Sequence, residues 1–311
     1  MKLVDYFNQW LTINQVGLQK STAEAQAVCF KAHILPYFQK LNLSLQELSA
    51  QHIFAYAYSK LQSGRKDGKE GGLSRATVNK HLSLMRQALD SAVCQGYIKQ
   101  SPASSFHLPR RQFTKERREV FLNEQEAQQL INSLQGQIKL AVALAVYYGL
   151  RRSEVLGLKW SAIDFDKKVI HINHTIVKNL TIEAKDSTKT ISSCRAFQLL
   201  PEIEKALQEH KNSLAEPKEY IFLSSDGRFM RPDCLTRSFQ RQLKRAGFPQ
   251  MRFHDLRHST ASILFDKGWS LEDVKNWLGH SDIETTSNIY LHYTRERKIM
   301  MAKGLEGMLK I

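Results

Sequence analysis

IKLAVALAVYYGLRRSEVLGLKW, residues 138–160, changes character at one glycine. Ahead of Gly149 the side chains are almost all apolar, too many for a single face of a helix. Residues 138–148 are therefore expected to form a helix buried on every side and closed by Gly149. The uninterrupted apolar run, 140–148, is too short to cross a bilayer. Past Gly149 come two adjacent cations, Arg151 and Arg152, and then Glu154. Three residues separate Arg151 from Glu154, so on a helix they share a face. The carboxylate there either orients the guanidinium or serves as a plain cap or ion pair.

Working outward, the surrounding segments read as one mixed domain. Asn123 and Glu126 form an Asn-x-x-Glu capping arrangement that opens a helix before the apolar one. Between residues 167 and about 200 the periodicity shortens, and Val169-Ile170-His171-Ile172 and Arg195-Ala196-Phe197-Gln198-Leu199 read as strands on either side of a polar Lys/Ser/Thr stretch. Helices are expected again over 201–210, 234–246, 258–267 and 271–278. The fold class is mainly α with a small antiparallel β-sheet inside an α+β domain.

The first 107 residues read as a separate domain of four or five helices, with Phe30, Ile34, Tyr37 and Phe38 at helical spacing. In 74–93 the stripe Val78, Leu82, Met85, Leu89 and Val93 packs inward, leaving Arg75, Asn79, Lys80 and Arg86 largely on other faces. Those faces are either ordinary solvated surface or a nucleic-acid contact. Pro109 then stops the helical pattern, and Arg110, Arg111, Lys115, Arg117 and Arg118 make a basic linker over 108–118. The second domain runs over 119–311.

Charge narrows the partner. Lys and Arg number 45 against 30 Asp and Glu, a formal +15, and the excess is spread over both parts: 13 basic and 6 acidic residues in 1–110, 32 and 24 beyond. Cations built into folded segments, rather than gathered in a tail, fit a polyanion held by both domains. Cys29, Cys94, Cys194 and Cys234 form no CxxC pair, which excludes a zinc ribbon and a disulfide scaffold and fits reduced thiols. The start, MKLVDYFNQW, lacks the apolar core of a signal peptide, so a cytoplasmic, nucleoid-associated protein without membrane contact is expected.

Four clusters carry chemistry: the segment from Gly149 to Leu158, then Thr188-Lys189-Thr190, then His254-Asp255-Leu256-Arg257-His258, and last Leu278-Gly279-His280 with Tyr290 ten residues on. Together they offer a phenol that can act as a nucleophile, guanidinium groups that can neutralise an anion, and lysine and histidine groups that can move a proton. His254 and His258 stand at the i, i+4 spacing of a zinc pair. However, the residues between them are Asp-Leu-Arg, without a metalloprotease's glutamate, and Arg257 repels a cation. No metal and no other cofactor is expected, and His258 is read as support for its helix.

In this order, Arg, Lys, His-x-x-Arg, His, Tyr, the clusters resemble the tyrosine recombinase (phage integrase, Xer-like) family over essentially the whole chain. The resemblance implies a helical core-binding, SAM-like domain and a catalytic domain closing as a C-shaped clamp on DNA. It implies cleavage and rejoining through a 3′-phosphotyrosine and a Holliday junction, for integration or excision of a phage or mobile element. Tyr290 is the implied nucleophile on the His-to-Tyr spacing, against Tyr293, Tyr147 and Tyr148 nearby. Arg151 and Arg257 clamp the phosphate, His254 and His280 assist, and Lys189 is the acid, with Lys185 as its rival. Arg152 goes to solvent or the DNA backbone.

The implied partners are duplex DNA, further copies in a tetramer on DNA, and accessory bending or directionality factors. The apolar end, about 295–311, is expected to dock on a neighbouring protomer or on its own domain. The chain opens almost directly on the core-binding domain, so the resemblance implies either a simpler, Xer-like architecture or an arm-binding domain that has been trimmed away. Type IB topoisomerase-like relaxation and a catalytically silent DNA-binding regulator are the competing functions.

Overall fold

The structure, a computed structural model, describes residues 1–104, 106, 108, 121–178, 182–185, 195–214, 216 and 218–279, with the backbone alone at 178 and 182–185. The chain divides into two compact units, Met1–Lys115 and Glu116–Ile311. It is mostly helical with small antiparallel sheets, the expected fold class.

In the first unit, α1 (Leu3–Asn14) buries Leu3, Tyr6, Phe7, Trp10 and Leu11, the three- and four-residue spacing of one helical face. Next, α2 (Lys20–Cys29) runs through a π-helical turn, Phe30–Ile34, into α3 (Leu35–Leu41), which stops at Asn42 in the left-handed region, φ 49°. Then α4 (Ala50–Ser63) starts at Ser49, whose N–H donates to His52 Nδ1 at 3.2 Å. Last, α5 (Arg75–Cys94) is capped by the Ser74 hydroxyl, accepting from the Thr77 N–H at 3.1 Å. Aromatic rings fill the centre: Phe7 meets Phe30 edge-on at 5.4 Å and Phe38 stacks on Tyr56 at 5.5 Å.

On α5 the buried stripe is Val78, Leu82, Met85 and Leu89, as the spacing predicts, with Ala92 rather than Val93 as its last buried member. His81 lies buried in the same stripe, its Nδ1 2.8 Å from the Tyr56 hydroxyl. Asn79 and Lys80 are exposed and Arg75 is half-buried. Arg86 is half-buried. Its Nε–H and Nη2–H donate to the carbonyls of Ala103 (3.1 Å) and Phe106 (2.9 Å), so the guanidinium straps the segment after α5 onto the helix. The reason is that residue 86 adjoins the buried Met85, where that segment folds over the stripe.

The second unit is built around α7 (Gly136–Tyr148), which is buried on nearly all sides as its composition requires. It follows α6 (Glu124–Ser133), whose start carries the expected reciprocal cap, Asn123 N–H to Glu126 and Glu126 N–H to Asn123, both 2.9 Å. Beyond Gly149, at φ 62°, comes the short α8 (Arg152–Leu156).

A three-stranded antiparallel sheet follows, in the order β1 (Ile163–Asp164), β2 (Val169–Ile172), β5 (Arg195–Gln198). Within it the polar stretch contains an unexpected hairpin of β3 (Thr175–Lys178) and β4 (Ile182–Lys185). The remaining helices are α9 (Pro201–Asn212), α10 (Pro232–Arg245), α11 (Asp255–Asp266) and α12 (Leu271–Leu278). α11 lies against α7, locked by the Thr260 hydroxyl donating to the Val146 carbonyl at 2.8 Å. Among the described residues no helix is long and apolar enough to cross a membrane.

Candidate active site

The left-handed turn at Gly149 ends α7 and sets Arg151 at the cap of α8. Glu154, one turn on, reaches back with both oxygens. Oε2 accepts the Arg151 N–H at 2.8 Å and Oε1 accepts Arg151 Nη1–H at 2.7 Å. Capping and orienting, the two readings open for Glu154, are thus one arrangement. Arg151 also donates from Nη2 to the Gly279 carbonyl at 3.1 Å, and about a third of its side chain stays open to solvent.

Arg257 rises from the first turn of α11 and has no exposed surface. Its Nη1–H and Nη2–H donate to the carbonyls of Gly149 and Leu278, each at 2.6 Å. One guanidinium thereby ties the exit of α7 to the end of α12. The chain leaves α12 through Gly279, left-handed at φ 64°, as the expected tight turn requires.

A third guanidinium, Arg195 at the head of β5, was not singled out by the sequence. It is nearly buried and pairs with Glu154 at Nη2–Oε2 3.0 Å and Nη1–Oε1 3.4 Å. A signal existed: strand alternation puts Arg195 on the same side as Phe197, the inward side, where a cation needs an acid.

His254 precedes α11 and His258 lies one turn on, their rings perpendicular with centroids 4.9 Å apart. His258 also meets Phe121 edge-on at 6.3 Å, in keeping with support of its helix. Arg152 is exposed and donates to the Thr236 hydroxyl at 2.8 Å. Lys189, His280 and Tyr290 lie outside the described residues, as do Arg110, Arg111, Lys115, Arg117 and Arg118 and the segment 295–311. Lys185, the rival of Lys189, sits in β4 with its backbone paired to Thr175.

The electrostatics are those of an anion site. Burial alone would raise the Glu154 carboxyl, but Arg195, Arg151 and the Arg151 N–H outweigh it and hold the group below the ordinary glutamate value. Burial pushes Arg195 and Arg257 down, opposed in each case by Glu154. Arg257 nevertheless keeps its charge, since two carbonyl acceptors at short range stabilise the protonated guanidinium. His254 is pulled down to about 4, by partial desolvation and then by His258, Arg257 and Arg151. Its residue surface is still exposed, so the crowd of cations is the firmer cause and the ring can meet an incoming anion. Three arginines around one carboxylate leave a surplus of positive charge with Arg151 at its open edge.

This arrangement, in a helical unit with an inserted small sheet, defines a phosphoryl-transfer enzyme of the tyrosine recombinase class. Residues 120–297 match the phage integrase family and residues 2–61 the N-terminal SAM-like domain of phage integrases, and the chain belongs to the phage integrase family. It is a site-specific recombinase.

Among its relatives, a XerC-like tyrosine recombinase of Caldanaerobacter subterraneus subsp. tengcongensis is 29% identical over 76% of this chain and 67% of its own length. The ICEBs1 integrase of Bacillus subtilis is 27% identical over 96% of this chain and 81% of its own length. Among solved structures, the Tn1549 transposon integrase in complex with a circular intermediate DNA has the same fold. Its TM-score is 0.77 at 19% identity, covering 97% of this chain and 99% of that one. A lambda integrase dimer bound to a COC′ core site superposes with a TM-score of 0.66 at 18% identity, over 93% and 77% of the two chains.

Proposed function

We propose that this recombinase integrates or excises a phage or other mobile element, cutting and rejoining duplex DNA through a covalent bond to Tyr290. The observation that carries this reading is the pairing of Arg151 and Arg195 with the buried Glu154, together with Arg257 bonded to the Gly149 and Leu278 carbonyls and, with Arg151, close enough to His254 to lower its pKa. A rigid guanidinium fork matches two non-bridging phosphate oxygens, and a cationic site already in place stabilises the extra charge of the pentacovalent phosphate without reorganising.

The Tyr290 oxygen attacks phosphorus and the 5′-oxygen leaves, taking its proton from Lys189. The 3′-phosphotyrosine keeps the bond energy until a 5′-hydroxyl from the partner strand attacks in turn, through a Holliday junction. Arg151 and Arg257 hold the non-bridging oxygens, His280 donates a hydrogen bond to one of them, and neutral His254 accepts or relays a proton near the nucleophile. The arginines supply the cationic charge that a metal supplies in other phosphoryl-transfer enzymes, so the reaction is expected to proceed in chelator.

Duplex DNA is held by both units, with Arg75, Asn79, Lys80 and Arg152 and the linker cations Arg110, Arg111, Lys115, Arg117 and Arg118 on its backbone or grooves. Four copies assemble on paired sites, with residues 295–311 contributing to their association and accessory bending or directionality factors acting on the assembly. The reading places the enzyme on the nucleoid, in the cytoplasm.

The test is a nicked suicide duplex spanning the joined ends of the DNA element that encodes the chain, incubated in EDTA. The wild-type chain should form a covalent complex and Tyr290→Phe should bind without forming one. An adduct that persists in Tyr290→Phe would remove the assignment.

A further inference from the structure

We infer that Arg195 is a positioning residue of the phosphate site, one that sets Arg151 through the Glu154 carboxylate. This rests on the recombinase chemistry proposed above. The geometry is that of a saturated acceptor. Oε1 of Glu154 takes Nη1–H of Arg151 at 2.7 Å and Nη1–H of Arg195 at 3.4 Å; Oε2 takes the Arg151 N–H at 2.8 Å and Nη2–H of Arg195 at 3.0 Å. A carboxylate offers about four lone-pair directions, and all are used. With only Arg151 as partner it could turn about its last torsion; with Arg195 gripping the other edge it cannot.

Burial separates the roles of the two arginines. Arg195 and Glu154 are the inner pair, with 9% and 2% of their side chains exposed, while Arg151 keeps 32%. Arg195 is held from behind as well. Its guanidinium lies over the Phe197 ring at 5.5 Å, and Phe197 packs on Trp277 of α12 at 4.7 Å. α12 in turn ends at the two carbonyls that receive Arg257 and Arg151, from Leu278 and Gly279. Arg195 is thus anchored to the element that fixes the rest of the clamp. Facing inward, it acts on the phosphate through Glu154 and Arg151 rather than by touching it.

Charge works in the same direction as the geometry. Buried by itself, Glu154 would favour its protonated form; Arg195 and Arg151 together keep it ionised. Without Arg195 the carboxyl would take up a proton at higher pH, and a neutral acid holds a guanidinium less firmly than a carboxylate does.

Arg195→Gln, Arg195→Lys, Glu154→Gln and the double variant Glu154→Gln/Arg195→Gln are compared with wild type in single-turnover cleavage of the suicide duplex at saturating protein, pH 5 to 9. Melting temperature and DNA affinity are measured alongside. The expected result for Arg195→Gln is a rate lower by about tenfold or more, affinity within about threefold, and an acid limb displaced to higher pH. Arg195→Lys recovers part of the rate. The double variant restores the site's net charge and removes the unpaired buried carboxylate, so it regains melting temperature but not rate.

Recovery of rate in the double variant would reduce Arg195 to charge balance and overturn the inference. So would an Arg195→Gln chain with the wild-type rate and pH profile, or one whose loss is confined to affinity. If Arg195→Gln fails to fold, the double variant and Arg195→Lys give the same decision. Titration of the Glu154 carboxyl carbon by NMR in the DNA-free protein decides independently: its pKa rises in Arg195→Lys if the inference holds and stays put if it fails. A wild-type chain that forms no covalent complex counts against the proposed function and leaves that titration intact.

Discussion

Arg257 spends two donors on main-chain carbonyls, Gly149 and Leu278, and so serves the fold and the site at once. A lysine in its place has one point of charge where two diverging acceptors wait, leaving one buried carbonyl without a donor. Arg257→Lys should lose about 1–3 kcal/mol of stability and about a hundredfold or more in covalent-complex formation, read by denaturant melts and the suicide duplex. Stability without activity loss would separate Arg257 from the phosphate.

A buried histidine makes the first unit sensitive to acid. His81 is pulled down to about 4 by burial and then by His33 and Lys60, while its Nδ1 faces the Tyr56 hydroxyl. The unfolded chain therefore binds this proton first. The stabilisation is complete above the free-histidine value near 6.5 and drains away as pH falls toward 4, which makes the unit about 2 kcal/mol less stable at pH 5 than at pH 7.5. Equilibrium unfolding at the two pH values should show that difference, and His81→Gln should remove most of it.

Among the elements, the turn between α7 and α8 carries the most. Gly149 has φ 62°, and a Cβ built there would lie 2.2 Å from Leu278 Cδ2, the residue whose carbonyl holds Arg257. Gly149→Ala meets both the left-handed penalty and that clash, so a loss of about 2 kcal/mol or more is expected in thermal melts, with cleavage falling alongside. This turn was legible because a dense apolar run, a glycine and an Arg-x-x-Glu pair each act locally. The capping box at Asn123 and the stripe on α5 were legible for the same reason. The β3–β4 hairpin was not: its strands are short and half polar, and what secures them is each other and the close approach of Gly157, the residue that ends α8, to the backbone at His174 and Thr175. Arg195 was missed because its meaning depends on a carboxylate 41 residues away. The carbonyl partners of Arg86 were not legible either, because a helical wheel shows which face a residue occupies and not which later segment folds over it.

At the scale of the whole molecule the formal charge of +15 makes affinity for DNA a problem of released counterions. Each Lys or Arg that neutralises a phosphate adds about 0.9 to the magnitude of the slope of log affinity against log salt. Lys80 and Arg86 lie on the same helix and carry the same charge, so they separate contribution to this term from mere presence. Lys80 is exposed and is proposed to lie on the backbone, whereas Arg86 is committed to the Ala103 and Phe106 carbonyls. Lys80→Ala should lower the slope by about 1 and weaken binding evenly across sequences, with the melting temperature unchanged. Arg86→Ala should leave the slope near wild type and cost about 1–3 kcal/mol of stability, because two carbonyls lose their donors. Titrations of labelled duplex between about 50 and 200 mM salt, paired with melts, measure both. A slope that drops for Arg86→Ala and holds for Lys80→Ala would reverse the two assignments and put the DNA-facing side of α5 on its opposite edge.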